Sequence, residues 1–379
     1  MREGWEYKKL GDICQVSAGQ GAPQGEDKYS DVGTPFVKAG NLVELINGKQ
    51  ESDIQKVSDE VAKAHRLVLH KTGSVVFAKS GMSCMKGHVY TLKNDCYVVS
   101  HLAILQPRNI SSAYLNYYLQ YHKPNNLIKD EGYPSISLKD IENSIISLPS
   151  NIEQENRVVS ELDKINELIR LKKEQLKDYD NLAQSIFYEM FGDEKYERRK
   201  LKDIVKVKSG QVSPLEDPYC DMVHVGPANI ESNTGRLINL KTAKEENLIS
   251  GKYLFDSSMV LYSKIRPNLN KVTIADFEGI CSADMYPLIP SKSIDKKFLL
   301  FILKQKEFLS YAIANSGRAN IPKINREALL EYSTILPPLS LQLQFAERLA
   351  LIEKQKEQIS SIIKDLETLL ASRMQYWFD

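Results

Sequence analysis

The stretch VVSELDKINELIRLKKEQLKDYDNLAQSIFYEM, residues 158–190, decides the fold of this chain. It contains neither proline nor glycine, and its apolar residues recur at alternating steps of four and three. That spacing is the heptad seam of a coiled coil. A helix of about 35 residues forms a rod of roughly 50 Å. The seam positions are Val158, Leu162, Ile165, Ile169, Lys172, Leu176, Tyr179, Ala183, Ile186 and Met190.

A second seam with the same register follows 187 positions later. A Leu-Pro pair precedes each seam, as suits the start of a helix, and Gly192 is a candidate C-cap for the first. Because a long apolar stripe needs a partner, two seams in one chain predict an antiparallel helix pair that separates two globular domains. Two unrelated helices that each cover a different core are the alternative. The second seam comprises Phe345, Leu349, Ile352, Lys356, Ile359, Ile363, Leu366, Leu370, Arg373 and Trp377.

The repeat extends beyond the seams. EYKKLGDICQVSAGQ (6–20) is echoed by ERRKLKDIVKVKSGQ (197–211), and both predict a helical turn that leads into a strand. TGSVVFAKSG (72–81) is echoed by SSMVLYSKIR (257–266). The offset drifts between 183 and 191, but the order of the motifs is kept. The chain is therefore an internal duplication.

Each globular half alternates short β-like runs with turn clusters, which predicts a mixed α/β (α+β) fold with a twisted, mainly antiparallel sheet. CYVVSHLAILQP (96–107) is predicted as one strand, and 114–121 and 297–309 as helices. The expected division is a domain at 1–150, a helix at 151–192, a domain at 193–338 and a helix at 339–379, related by a pseudo-twofold internal repeat.

The net charge of +1 conceals basic loops. The segments 61–94, 257–275 and 308–326 contain no Asp or Glu, and the basic windows recur in both halves. Such loops favour contact with duplex DNA, although a solvated basic face is the simpler reading of any one window. Basic and amide side chains also read base edges. The predicted DNA contacts are Lys38, Asn41, Lys79, Ser80, Lys86, Ser135, Lys139, Asn229, Lys264, Arg266, Asn268, Lys271, Arg318, Asn320 and Lys323.

Motifs for catalysis or metal binding are absent from the sequence. The five cysteines form no CxxC pair, the six histidines form no HxxxH pair, and no phosphate-binding, nuclease or amino-methyltransferase motif occurs. A binding protein without catalytic residues, metal or cofactor is therefore expected. No run of about 18 apolar residues occurs, so a cytoplasmic protein with reduced thiols is expected.

The duplicated motifs resemble those of the specificity (S) subunits of type I restriction-modification enzymes. The W-x-x-x-x-L-G-D-[IV] start is matched by Trp5–Ile13 and, more loosely, by residues 200–204. Further matches are the G-N-[IL] turn at 40–42 and 228–230, the strand and basic loop at 73–79 and 258–264, and the P-L-x-x-Q motif at 149–154 and 338–342. The second half departs from the family in lacking the tryptophan start and in having RPNLNK at its basic loop.

The resemblance implies two target-recognition domains, each reading one half of a bipartite, asymmetric DNA site. It also implies that the helices set the gap between the half-sites and dock two modification subunits. Those subunits would carry S-adenosylmethionine, and restriction subunits would join them. Two alternatives remain open: a helical scaffold without sequence-specific DNA binding, and a self-sufficient DNA enzyme.

Overall fold

The computed structural model describes residues 4–192, 196–317 and 320–379. It divides into two compact units. Unit 1 comprises Met1–Glu174 with Ser360–Asp379, and unit 2 comprises Gln175–Ile359. Each unit therefore contains one globular domain and a part of both long helices. Among the described residues, no helix has the combination of length and hydrophobicity that a bilayer span requires.

Unit 1 has a four-stranded antiparallel sheet and a smaller three-stranded sheet beside it. Its elements in chain order are β1 Trp5–Lys9, α1 Leu10–Ile13, β2 Cys14–Ala18, β3 Thr34–Val37, α2 Asn41–Ile46, β4 Lys56–Val57, α3 Asp59–Ala64, β5 Val75–Ala78, β6 Val89–Thr91, β7 Tyr97–Val98, β8 Leu102–Pro107, α4 Ser112–Tyr121, α5 Leu138–Asn143, β9 Ile145–Pro149 and the long α6 Ile152–Phe191.

The large sheet of unit 1 has the order β2-β8-β5-β6, and the small one has the order β4-β3-β7 with β3 and β7 parallel. A separate ladder pairs β1 with β9 just before α6. The core lies around β5 and β8, whose residues are almost all buried. The prediction of one strand over 96–107 was wrong: a turn in which the Leu102 N–H bonds the Val99 carbonyl (3.0 Å) separates β7 from β8 and sends them to different sheets.

Unit 2 repeats this plan. Its elements are β10 Arg198–Lys200, α7 Leu201–Ile204, β11 Val205–Val207, β12 Gln211–Val212, β13 Val223–Val225, β14 Lys241–Thr242, β15 Lys252–Phe255, β16 Val260–Ser263, β17 Val272–Thr273, β18 Gly279–Cys281, β19 Met285–Pro290, α8 Lys296–Lys304, α9 Lys306–Ala314, α10 Arg326–Glu331, β20 Ser333–Ile335 and the long α11 Leu339–Phe378.

Strand order shows the duplication in three dimensions. The sheet β11-β19-β16-β17 corresponds to β2-β8-β5-β6, and the ladder β10-β20 corresponds to β1-β9. The second sheet of unit 2 has five strands, β12-β15-β18-β13-β14, and again contains one parallel pair, β13 with β18. The predicted mixed fold with mainly antiparallel sheets and an internal repeat is confirmed.

The predicted single helix over 297–309 was wrong. Gln305 has an extended backbone (φ −64°, ψ 148°) and separates α8 from α9. Phe298 and Ile302 lie on the buried face of α8, and Phe308 on that of α9, all in one hydrophobic core. At 100° per residue, a straight helix would place Phe308 about 80° from Phe298 and about 120° from Ile302, away from the centre of the face that α8 buries. The break allows both faces to be buried.

The long helices pair antiparallel within each unit. In unit 1, Glu161 of α6 contacts Arg373 and Trp377 of α11, while the later Lys173 is 2.9 Å from the earlier Glu367. In unit 2, the Lys356 Nζ is 2.8 Å from an oxygen of Asp180. Every position of both predicted seams is buried or half-buried. Val158 and Leu162 pack with Trp377 in the core of unit 1, as expected for paired seams.

Candidate DNA interface

Two loops that are distant in sequence meet in unit 1. Beyond β5, an isolated bridge pairs Ser80 with Ser135. The Gly81 N–H bonds the Pro134 carbonyl (3.0 Å), and the Ile136 N–H bonds the Lys79 carbonyl (2.8 Å). We call residues 79–86 and 133–139 junction 1. It brings together predicted DNA contacts from two segments that are far apart in sequence.

Unit 2 contains the same arrangement at equivalent positions. A bridge pairs Ile265 with Lys323 beyond β16. The Arg266 N–H bonds the Pro322 carbonyl (2.7 Å), and the Ile324 N–H bonds the Lys264 carbonyl (3.0 Å). We call residues 264–271 and 320–324 junction 2. The hydrogen bonds match those of junction 1 one for one, so the fold constructs this feature twice.

Each G-N turn follows the carboxyl end of one strand of a parallel pair, β3 in unit 1 and β13 in unit 2. Asn41 accepts the backbone N–H of Lys38 (2.9 Å). Asn229 is buried, accepts the Gly226 N–H (2.9 Å) and donates its amide hydrogens to the Ile238 and Asn239 carbonyls. Its polar atoms are therefore engaged inside the protein. The predicted DNA contact of Asn229 would therefore require its amide to give up one of these backbone partners.

Several predicted lysines also have internal partners. The Lys264 Nζ donates to the Ala283 carbonyl (2.6 Å) and is 3.8 Å from Asp284. The Lys271 Nζ donates to the Pro227 carbonyl (2.7 Å) and thereby fastens junction 2 to its G-N turn. The Lys38 Nζ donates to Gln55 (2.7 Å) and lies 4.1 Å from the centre of the Tyr29 ring. These contacts hold the three ammonium groups in place, and each group keeps further N–H donors that could meet DNA.

The remaining predicted side chains are more accessible. Lys79 and Ser80 are half-buried, and the Ser80 Oγ is 2.9 Å from His101 Nδ1. Arg318 lies outside the described residues. The exposed set is Lys86, Ser135, Lys139, Arg266, Asn268, Asn320 and Lys323, which falls entirely within junctions 1 and 2.

The chemistry available at the junctions is that of binding. Burial raises the pKa of the Cys84 thiol above its ordinary value, an effect that the nearby Lys79 charge only partly opposes. The thiol therefore stays protonated and weakly nucleophilic at neutral pH. The exposed cations and amides supply hydrogen-bond donors and acceptors suited to phosphates and base edges.

Two features of the junctions escaped the sequence analysis. Gly81 (φ 76°) and its counterpart Arg266 (φ 47°) both have positive φ. The glycine at position 81 indicates such a conformation in the first half, but the arginine at position 266 does not indicate it in the second. Met82 and Tyr133 are exposed apolar residues on the two loops of junction 1. Met82 and Tyr133 belong to the same part of the surface only because the two loops are paired.

One candidate metal cluster occurs among the described residues: Asp217, Cys220 and Asp221 in an exposed loop of unit 2. The Cys220 thiol donates a hydrogen bond to Asp217 (3.0 Å), and this bond raises the pKa of the thiol. Because a cysteine ligand must lose its proton, the acidic neighbours disfavour its use as a ligand.

The duplication seen in the two junctions also appears when the whole sequence is compared with known protein families. The family model described as the type I restriction modification DNA specificity domain matches residues 2–178 and again residues 193–368. The chain belongs to this family. Its two matches reproduce the predicted duplication, and membership confirms the prediction of a DNA-specificity component.

Two curated relatives match in sequence. The chain is 38% identical over 149 residues to the type I restriction enzyme EcoDI specificity subunit of Escherichia coli. The aligned region is 39% of this chain and 33% of that relative. It is 31% identical over 156 residues to the MjaIX specificity subunit of Methanocaldococcus jannaschii. The aligned region is 39% of this chain and 34% of that relative. Each match thus spans about a third of the relative's own length.

Solved structures share the fold over nearly the whole chain. A structure from a study of complex assembly and conformational transition in a type I restriction-modification system aligns with a TM-score of 0.56 at 15% identity, covering 99% of this chain and 97% of that one. The S subunit from M. genitalium aligns with a TM-score of 0.56 at 12% identity, covering 99% and 96%.

Proposed function

We propose that this chain is the specificity subunit of a type I restriction-modification complex and reads a bipartite DNA site, one half with each junction. The observation that carries the proposal is the repetition of the two-loop junction with different exposed side chains. Junction 1 contains four serines and three lysines, whereas junction 2 contains three asparagines, three lysines and one arginine. Because the two junctions share a backbone arrangement but carry different side chains, they would recognise different base sequences, and the target would be asymmetric.

Within each junction we assign two kinds of contact. The exposed cations Lys86, Lys139, Arg266 and Lys323 suit phosphates, where charge sets affinity and its dependence on salt. The amides and hydroxyls of Ser80, Ser135, Asn268 and Asn320 suit base edges. Lys79 lies at the root of junction 1 and supports it. The residues with partners inside the protein would shape the surface that meets DNA: Lys38, Asn41, Asn229, Lys264 and Lys271.

We further propose the partners that a specificity subunit requires. Two modification subunits, each with S-adenosylmethionine, would dock on the paired helices, and restriction subunits would complete a cytoplasmic complex. Exposed leucines along the helices, including Leu168 and Leu171 of α6 and Leu351 of α11, are available for such docking. In this scheme, residues 1–150 and 193–338 are the target-recognition domains, and residues 151–192 and 339–379 are the spacer helices.

Selection from random duplexes tests the proposed function. The full chain, purified with its modification subunits, should enrich two different short sequences at a fixed separation. Binding to the enriched duplex should weaken steeply with added salt, because each phosphate contact releases counterions. Binding without sequence preference would instead support the scaffold alternative. Methylation or cleavage of DNA by the purified chain alone would show that it is an enzyme.

A further inference from the structure

Junction 1 has an apolar tip formed by one residue from each of its loops. The Met82 side chain is 75% exposed, and that of Tyr133 is 83% exposed. These residues immediately neighbour Gly81 and Pro134, whose backbones are joined by the 3.0 Å hydrogen bond. Two large apolar side chains so fully presented to solvent have no role in the core of unit 1.

The backbone beside this tip is also open. Gly81 has φ 76°, and a Cβ at that position would meet no atom within 4 Å. A surface can therefore approach the loop closely at Gly81. Lys86 and Lys139 are exposed and belong to the same two segments of junction 1, so the junction also carries cations that suit a phosphate backbone.

The tip itself is unsuited to phosphates. Asp130 and Glu131 precede Tyr133, and an oxygen of Asp130 accepts the Gly132 N–H (2.9 Å) in the turn that presents the tyrosine. Acidic and apolar groups at the tip favour contact with the floor of a groove over its charged edges. The apolar group that the major groove offers there is the thymine C5-methyl.

We propose that Met82 and Tyr133 form a thymine-reading contact, which recognises the C5-methyl group in the half-site bound by junction 1. The inference rests on the proposed function and deepens it. Junction 2 differs at the corresponding positions: Pro267 is buried, and only Ile321 is an exposed apolar residue, so the two halves of the site are read by different chemistry.

Replacing each thymine of the selected site in turn by deoxyuridine, which lacks only the methyl group, tests this proposal. With the wild-type chain, at least one replacement should lower affinity about fourfold, the equivalent of one buried methylene. The effect should disappear in Met82→Ala or Tyr133→Ala. It should persist in Val32→Ala, which removes an 81% exposed apolar side chain elsewhere in unit 1.

Each outcome has one reading. The absence of any A·T base pair from the half-site that junction 1 binds, or a deoxyuridine effect of equal size in wild type and both tip variants, overturns the thymine contact but leaves the proposed function intact. Failure to enrich any sequence overturns the proposed function itself. The melting temperature of each variant should equal that of wild type, because both side chains are exposed, and this excludes unfolding as a cause.

Discussion

At position 266 an arginine occupies the left-handed backbone region (φ 47°, ψ 61°), where its counterpart in junction 1 is a glycine. For a residue with a Cβ this conformation costs about 1–2 kcal/mol. The cost is sustained because the Arg266 N–H is held by the Pro322 carbonyl, and strain of this kind concentrates at functional sites. Stability of the fold therefore does not explain the arginine at this position, and a functional role does.

We predict that Arg266→Gly separates stability from binding. Relief of strain, less the entropy that glycine loses on folding, should raise the free energy of unfolding of unit 2 by roughly 0.5 kcal/mol. DNA affinity should fall, with a salt dependence shallower by about one counterion. Denaturant titration and fluorescence anisotropy measure the two effects. Asn247→Gly, at another exposed residue with positive φ (53°), should leave DNA affinity unchanged.

Residue type alone does not show which of the predicted DNA contacts also have partners inside the protein. Asn229, Lys264 and Lys271 have the side chains expected of DNA-reading residues, yet each bonds a backbone carbonyl within unit 2. The carbonyls of Ala283 and Pro227 become partners only after the chain folds, because they belong to other strands and turns. A linear sequence shows which donors exist but not which acceptors they meet.

At the scale of the elements, the long helices were predictable because the heptad repeat is local information. The register read from residues 158–190 reappears as the buried side of α6 and α11. The break at Gln305 was not predictable, since no glycine or proline marks it. The break turns the buried face of α9, which carries Phe308, towards the same core as the buried face of α8, and this packing is a property of the whole core.

The seam should dominate the stability of the helix pair. Leu162 is fully buried on α6, and Leu171 on the same helix is 45% exposed. Leu162→Ala should lower the free energy of unfolding by about 2–5 kcal/mol, because it removes buried methyl groups and leaves a cavity. Leu171→Ala should change it by less than about 0.5 kcal/mol. Chemical denaturation of the full chain measures both, and equal losses would contradict the seam assignment.

Glu161 should make the helix pair of unit 1 sensitive to acid. Its hydrogen-bonded ion pair with Arg373, aided by the Trp377 Nε1–H, holds the pKa of its carboxyl below the ordinary value of 4.5. A carboxyl with a lowered pKa in the folded state stabilises the protein above the unfolded-state pKa, and this contribution is lost as pH falls through the folded-state pKa.

We therefore predict that the free energy of unfolding declines as pH drops below about 4.5, and that Glu161→Gln declines less steeply there while being less stable at neutral pH. Denaturant titrations between neutral and acidic pH give this comparison. Glu189→Gln, at an exposed position of α6, is the control and should retain the wild-type slope. Parallel curves for wild type and Glu161→Gln would remove this ion pair as a source of acid sensitivity.

At the scale of the whole molecule, the duplication was readable from the order of weak motifs, but the junctions were not. Each junction depends on a bridge between loops that lie far apart in sequence, Ser80 with Ser135 and Ile265 with Lys323. Their equivalence shows that a duplicated framework has kept its hydrogen bonds while its exposed side chains diverged. One framework with two sets of exposed residues is the arrangement that an asymmetric bipartite target requires.

Because the junctions belong to different units, their contributions to DNA binding should be independent. We predict that Lys86→Ala and Lys323→Ala each weaken binding and each reduce the salt slope by about one. The double variant should show the sum of the two free-energy changes to within about 0.5 kcal/mol. Arg108→Ala and Lys292→Ala are matched controls, since both are exposed cations beyond the far ends of β8 and β19, the strands that begin beside the junctions.

Anisotropy titrations on the selected duplex, and on duplexes with one half-site scrambled, measure these effects. A non-additive double variant, or controls that weaken binding equally, would mean that affinity comes from general surface charge and not from two separate junctions.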